Sequence, residues 1–96
     1  MIALVVRLKA AAGNAEAVEA GLRKMTELVH AHEPGCSAYV VHRAQDDRDL
    51  FVLYERYDDE ASLEAHRDSD HFRECIAEAV VPLLAERSRE DLIVLT

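Results

Sequence analysis

Two histidines and a glutamate give this chain its clearest potential for chemistry. His66 and His71 lie five residues apart, and Glu55 lies in an apolar and aromatic stretch that ends at Tyr57. Histidine has an ordinary pKa near neutrality, which suits a general base. A carboxylate among apolar neighbours needs a partner or a raised pKa. These side chains could therefore move a proton to or from a substrate oxygen.

Each histidine also has a structural explanation. His66 follows Leu63 by three residues, so a helix would direct both side chains inward, where His66 could bond a backbone carbonyl instead of a substrate. His71 comes after Ser69 and Asp70 at the start of a helical segment, where capping or a surface position would account for it. Both readings stay open, and His66 and His71 are the first candidates for catalysis.

Strand alternation places Glu55 on the same face as Phe51, Leu53 and Tyr57. Glu55 could form a structural ion pair with Arg7, with Arg43 or with a histidine, or it could orient a catalytic histidine. An aromatic-binding cavity would draw on neighbouring aromatic and imidazole side chains, although aromatic residues on strands also form ordinary core. The candidate substrate-binding residues are Tyr54, Tyr57, Phe72 and His42.

No metal site or disulfide framework is expected. The pairs His30/His32 and His66/His71 lack the i,i+4 spacing of helical metal sites, and no CxxC motif is present. His30 and His32 fit the end of a helix, where they complement its dipole. Cys36 and Cys75 fit small buried hydrophobic residues.

The predicted elements that position these residues follow a β-α-β-β-α-β order, which is the ferredoxin-like plan. A strand is predicted at Ile2–Leu8, then a helix capped by Asn14 and ended by Glu33-Pro34-Gly35. A polar loop, 44–49, predicts a hairpin between its flanking strands. A second helical region pauses at 68–70, resumes at Phe72 and ends at Pro82. The predicted elements are, in order, 2–8, 14–33, 37–43, 50–57, 58–82 and a last strand, 91–96.

Two helices can cover only one face of a four-stranded antiparallel sheet. The stretches 2–6, 50–54 and 92–95 are apolar at consecutive positions, so the uncovered face would expose a large apolar patch. A second copy could bury this patch through a two-fold interface. A homodimer with facing sheets is therefore predicted; a tightly packed monomer is the alternative.

The composition narrows the class of protein. The 96 residues predict one domain, and the net charge of −8 argues against a nucleic-acid partner. Eleven acidic residues and four arginines lie between Asp46 and Glu74, which indicates a solvated face or a docking patch for a basic partner. No signal peptide and no apolar run long enough to span a membrane is evident, so a cytoplasmic protein is expected.

Four short motifs resemble the antibiotic biosynthesis monooxygenase (ABM) family of dimeric α+β barrels. They are Glu33-Pro34-Gly35-Cys36, the stretch Phe51 to Tyr57, Glu64-Ala65-His66, and Ser69-Asp70-His71-Phe72, and the similarity covers nearly the whole chain. The family includes quinol monooxygenases, oxidases of anthrone-type polyketides, heme-degrading enzymes and an isomerase of a signalling sugar derivative.

This resemblance implies oxygenation without flavin or metal, in which the deprotonated substrate supplies the electrons and no cofactor is needed. Heme-degrading members use an asparagine, a tryptophan and a histidine. The motifs place His66 at the tryptophan position and approximately Ile76 at the histidine position, and the chain contains no tryptophan. Heme degradation is therefore not expected.

The sequence thus predicts a homodimeric, cofactor-independent monooxygenase that acts on a quinol or a polycyclic phenol. Its pocket would lie between the sheet and the second helical region. Two alternatives remain: a non-catalytic barrel that binds a small hydrophobic molecule or serves a stress response, and an isomerase of a small carbonyl compound. Oxygen dependence would separate the first function from the isomerase.

Overall fold

The computed structural model describes all 96 residues and has the ferredoxin-like α+β fold that the sequence predicts. A π-helical turn, Arg73–Glu78, and a 3₁₀ turn, Val81–Leu83, precede the last strand. The strands and α-helices are β1 (Ile2–Ala10), α1 (Ala15–His32), β2 (Cys36–Arg43), β3 (Leu50–Tyr57), α2 (Glu60–Asp68), α3 (Asp70–Phe72) and β4 (Leu84–Ile93).

The four strands form one antiparallel sheet in the order β2-β3-β1-β4. The predicted hairpin joins β2 to β3, while the two helical crossovers place β1 and β3 in the centre. Leu4 pairs with Glu55 and Val6 pairs with Leu53 across the central strands. Because opposite residues of an antiparallel pair share a face, these four side chains all point towards the helices.

The main core lies between α1 and this inner face of the sheet. Val18, Leu22, Met25 and Val29 recur at intervals of three and four residues, which aligns them along one side of α1. All four are fully buried, and they belong to the same apolar cluster as Phe51 of β3. Their burial fixes α1 across the sheet and leaves the second helical region to cover the remainder.

Helix α2 contributes Leu63 and His66 to the interior. Asp59 caps α2, because its carboxylate accepts a hydrogen bond from the backbone N–H of Ser62 at 2.8 Å. Leu63 packs with Leu4 and Tyr57 in a second apolar cluster. Only 3% of the surface of His66 is exposed, which confirms the inward direction predicted from its spacing with Leu63.

The prediction for the last strand was wrong in its bounds. The apolar run 92–95 predicted a strand at 91–96, whereas β4 begins at Leu84 and ends at Ile93. Half of the residues of β4 are charged, which is typical of an edge strand that must not pair with other chains. The bounds of this strand therefore follow from its backbone pairing with β1, and the apolar residues of the sequence do not predict them.

Two details of the helices also differ from prediction. The second helical region does not resume as an α-helix beyond Phe72, but continues as the π-helical turn Arg73–Glu78. Asn14 occupies the N-cap position of α1, yet its side chain makes no capping hydrogen bond there. Its amide instead donates to the carbonyl oxygen of Leu83 at 3.2 Å, which joins the start of α1 to the segment before β4.

The outer face of the sheet has no helix over it. Val40 is 47% exposed and Leu92 is 40% exposed on this face. It also carries charged residues, among them Arg7 and Arg56, so the patch is less uniformly apolar than the sequence predicts. No helix in the chain combines the length and the apolarity that a membrane crossing requires.

Candidate active site

A cavity of about 470 Å³ lies between the inner face of the sheet and the second helical region. Aliphatic side chains from β1 and β3 form its floor, while Phe72, Ile76 and Val80 cover it from the other side. Polar side chains line one side of the cavity and its rim. They are Tyr39, Glu55, His66, Arg67, Arg87, Ser88 and Arg89.

His66 is the imidazole of this cavity, and Glu33 fixes its orientation. The Nδ1 atom of His66 lies 2.9 Å and 3.0 Å from the two carboxylate oxygens of Glu33. A carboxylate only accepts hydrogen bonds, so Nδ1 carries the proton and donates it. In neutral His66 the free lone pair is consequently on Nε2, which lies 3.8 Å from Oε1 of Glu55, a cavity-lining residue.

The surroundings of His66 favour its neutral form. Burial lowers the pKa of His66, and the adjacent Glu33 carboxylate opposes this shift in part. Three aromatic rings surround the imidazole, with centroids 5.8 Å away for Tyr39, 5.1 Å for Tyr57 and 5.2 Å for Phe72. A neutral imidazole with a fixed tautomer can accept a proton at Nε2, after which Glu33 stabilises the positive charge.

Glu55 is buried as the sequence indicates, but neither proposed arginine pairs with it. Arg43 binds Glu16 and Glu19 of α1, and Arg7 is exposed on the outer face. The partner of Glu55 is Tyr57, whose hydroxyl donates to Oε1 at 2.7 Å. Burial raises the pKa of Glu55 to about 7, and the Tyr57 hydrogen bond opposes the shift. Burial also raises the pKa of Tyr57, so its hydroxyl stays protonated.

Glu33 is the site residue that sequence reasoning missed, because the turn it precedes explained its presence. Only 9% of its side chain is exposed, and it accepts hydrogen bonds from both histidines. The distance from its Oε2 to Nε2 of His71 is 2.5 Å. The sequence did contain a signal for Glu33. An acidic residue at the C-terminal end of a helix interacts unfavourably with the helix dipole, which suggests that it has another role.

His71 lies on the far side of Glu33 from His66. It does not line the main cavity, but borders a separate surface cleft together with His32 and Glu33. The His71 side chain is 15% exposed, so it connects the buried carboxylate to the surface. The two predicted histidines are therefore brought together through Glu33, and only His66 lines the main cavity.

The four predicted substrate-binding residues divide into two groups. Phe72 lines the cavity, and Tyr57 lies directly behind Glu55 and His66. Tyr54 and His42 do not line it. They alternate with the inward-facing residues of their strands, and the imidazole of His42 bonds the carbonyl oxygen of Val52 across the hairpin at 2.8 Å. Placing Tyr54 and His42 in the pocket was wrong, because both side chains project from the opposite face.

Comparison with known proteins identifies this architecture. The antibiotic biosynthesis monooxygenase family matches residues 1–78. The chain belongs to this family. No curated protein matches the chain significantly.

Solved structures of three bacterial proteins superpose closely on the chain. A Pseudomonas aeruginosa protein is 32% identical, with a TM-score of 0.91, over 99% of this chain and 94% of its own. A candidate antibiotic biosynthesis monooxygenase from Caulobacter crescentus is 27% identical, with a TM-score of 0.92, over 99% and 90%. A Mycobacterium tuberculosis protein is also 27% identical, with a TM-score of 0.89, over 99% and 95%.

Proposed function

We propose that this ABM protein is a cofactor-independent monooxygenase of a small electron-rich aromatic, a quinol or an anthrone-type phenol. The observation that carries the proposal is the His66 imidazole, held by Glu33 at Nδ1 and free at Nε2 beside an apolar cavity. The cavity volume of about 470 Å³ is within the range that holds small organic ligands.

In the first step His66 accepts the proton of a substrate hydroxyl at Nε2. The Glu33 carboxylate then stabilises the imidazolium, and the aromatic and aliphatic walls exclude water from the anion. Glu55 lies on the Nε2 side of the imidazole, where the proton is transferred, with 3.8 Å between its Oε1 and Nε2 of His66. Its carboxyl group can hydrogen-bond a second substrate oxygen in its protonated form.

The substrate anion supplies the electrons for the remaining chemistry. One oxygen atom of O₂ forms a bond to a ring carbon, and the other leaves as water with two hydrogens from the substrate. A quinol is thereby converted to a hydroxyquinone and an anthrone to an anthraquinone. The substrate loses four electrons and O₂ gains four, so the reaction consumes no external reductant.

The functional form is proposed to be a homodimer whose outer sheet faces meet. Arg56 supports this arrangement, because its Nε atom is shielded from solvent and has no hydrogen-bond partner in the single chain. The exposed Val40 and Leu92 lie on the same face. The cavity lies on the helical side of the sheet, so such an interface would not cover that side.

Oxygen consumption by the chelator-treated protein tests the proposal. A panel of quinols and anthrones is followed with an oxygen electrode against matched autoxidation blanks, and products are identified by mass spectrometry with ¹⁸O₂. We expect uptake above the blank and incorporation of one labelled atom. His66→Gln should lower the rate on the order of a hundredfold. His42→Gln is the control and should retain it. Uptake that is unchanged in His66→Gln would refute the assigned base.

Isomerisation of a small carbonyl compound is the second candidate function. It is favoured by the proximity of a neutral imidazole and a carboxyl group with a pKa of about 7, which could remove a proton from one atom and return it to another. Turnover of a carbonyl substrate that persists under argon would support this function. Turnover that stops without oxygen would exclude it.

A further inference from the structure

The rim of the cavity carries three arginines in a protein whose net charge is −8. Arg67 comes from the last turn of α2, while Arg87 and Arg89 come from β4. Arg67 also has a structural explanation, because a cation near a helix C-terminus complements the dipole. That explanation does not apply to the two arginines of the strand.

Both arginines of β4 lie on the face that borders the cavity. Arg87 pairs with Leu8 and Arg89 pairs with Val6, and both of these β1 residues line the cavity. Glu86 and Glu90 alternate with the arginines, so they project from the opposite face, whereas Asp91 pairs with Leu4 and shares the face of the arginines. Protection of an edge strand from aggregation requires charge, but it does not require both arginines of the strand to lie on the face of the cavity. The cavity face of β4 thus has a net positive charge, and the opposite face has a net negative charge.

Two of these arginines lack a counterion within the protein. Neither Arg67 nor Arg87 forms an ion pair, although acidic residues outnumber basic ones in the chain. Arg89 is held by Asp91, with 2.9 Å between Nε and Oδ1. Guanidinium groups at the edge of an apolar cavity bind carboxylates through paired, charge-assisted hydrogen bonds.

We propose that the cavity selects an aromatic carboxylate, whose ring occupies the apolar interior while its carboxylate binds the rim formed by Arg67, Arg87 and Arg89. The inference deepens the proposed function by naming the substrate class as aromatic hydroxy acids. It rests on that function only in taking the cavity as the substrate site. The carboxylate fixes the direction in which the ring enters, so that a hydroxyl group reaches His66.

Calorimetric titration with naphthoate and naphthamide tests the preference, because the two molecules match in shape and differ in charge. We expect naphthoate to bind about tenfold more tightly, and this advantage to shrink when the ionic strength rises from about 0.05 to 0.5 M. Arg67→Gln and Arg87→Gln should each weaken naphthoate binding about threefold and leave naphthamide unchanged. Arg23→Gln, which removes an exposed arginine of α1, should change neither affinity.

One variant should strengthen binding. Asp91→Asn releases Arg89 from its ion pair, so naphthoate affinity should rise about twofold. Equal affinity for the two probes, absence of naphthoate binding, or a preference that survives in the Arg67→Gln/Arg87→Gln double variant would each overturn the proposal. Naphthoate has no hydroxyl group to deprotonate, so the result is independent of turnover. Failure of the oxygenase assay therefore remains distinguishable from failure of this inference.

Discussion

At the scale of single residues, the site consists of one imidazole between two carboxyl groups in different environments. Glu33 accepts hydrogen bonds from two histidines, whereas Glu55 accepts one from Tyr57 and is otherwise desolvated. Burial therefore raises the pKa of Glu55 to about 7. Two carboxyl groups separated by one ring can thus have different roles, one that orients and one that exchanges a proton.

Replacing Glu33 tests its positioning role. Glu33→Gln keeps an oxygen that can accept from Nδ1 but removes the negative charge, so kcat should fall on the order of tenfold to a hundredfold. The Glu33 carboxylate raises the pKa of His66, so its loss should move the acid limb of the kcat/KM profile to lower pH. Glu27→Gln, an exposed change on α1, is the control. A lower rate with an unmoved acid limb would indicate a merely structural role.

Glu55 should make folding stability depend on pH. Its pKa rises from 4.5 to about 7 on folding, so between these values the folded protein holds a proton that the unfolded chain has released. The free energy of unfolding contributed by Glu55 therefore falls as pH increases through this window, by about 3 kcal/mol in total. Above about pH 7 the stabilisation that the protonated Glu55 provides is fully lost.

Urea unfolding of the wild type and of Glu55→Gln from pH 4.5 to 7.5 measures this contribution, with pH values chosen to bracket the shift. The pKa of His66 is lowered, so its own contribution has the opposite sign below about 6.5. The contribution of His66 cancels when the free energy of unfolding of the wild type is subtracted from that of Glu55→Gln. This difference should increase in favour of Glu55→Gln as pH rises. A difference that is constant with pH would contradict the raised pKa, and Glu64→Gln provides the exposed control.

At the scale of elements, Ser69 connects the helix that carries His66 to the segment that carries Phe72. Its hydroxyl donates to the carbonyl oxygen of His66 at 2.7 Å and accepts from the backbone N–H of Phe72 at 3.1 Å. One side chain thus ends α2 and begins α3. The break between the helices brings Phe72 against the imidazole, with the ring planes 71° apart.

Removal of this hydroxyl should loosen both elements. Ser69→Ala is expected to lower the free energy of unfolding by about 1 kcal/mol, because the N–H of Phe72 loses its partner and the carbonyl oxygen of His66 keeps only the backbone N–H of Ser69. Ser69→Thr retains a hydroxyl and should recover most of the loss. Denaturant unfolding monitored by circular dichroism measures both variants. Equal stability of Ser69→Ala and the wild type would show that the junction does not depend on this side chain.

The close approach of Gly35 to α2 is a second feature at this scale. A Cβ atom at position 35 would lie 2.7 Å from Cβ of Ser62, which is closer than carbon atoms can pack. Gly35 lies in the turn between α1 and β2, so the absence of a side chain lets Glu33 and His66 approach each other. The turn residues of the sequence therefore serve the geometry of the site.

At the scale of the whole molecule, the sheet is covered on one face only. The inner face meets two helical regions, and the outer face presents Val40, Val52 and Leu92 together with charged groups. The shielded Nε of Arg56 lacks a partner on that side. A buried donor without a partner costs about 1–3 kcal/mol, which an acceptor from a second copy would offset.

The molar mass in solution tests the proposed dimer. Light scattering with size-exclusion chromatography should give twice the 10.8 kDa of the chain. Val40→Glu places a charge on the outer face and should shift the protein towards monomer, because a buried unpaired charge is costly. Ala17→Glu changes the exposed side of α1 and should have no effect. A dimer that survives Val40→Glu, Val52→Glu and Leu92→Glu would place the interface elsewhere.

The sequence by itself determined the ferredoxin-like order, the bounds of β3 and the inward direction of His66 and Glu55. These features depend on local periodicity, which places residues on one face of a helix or strand before any tertiary contact forms. The same reasoning failed for β4, because an edge strand is held by backbone pairing and carries few apolar side chains. Tyr54 and His42 were assigned to the pocket against this periodicity, since strand alternation places both on the outer face.

Only the tertiary structure decided the partners within the site. Glu33 and His66 are separated by 33 positions, and Arg87 reaches the cavity rim from β4, the last strand of the chain. Such contacts depend on how α1, α2 and β4 pack on the sheet, and no local pattern encodes them. The physical reason is that periodicity fixes the face on which a side chain lies, whereas the packing of whole elements fixes which side chain it meets.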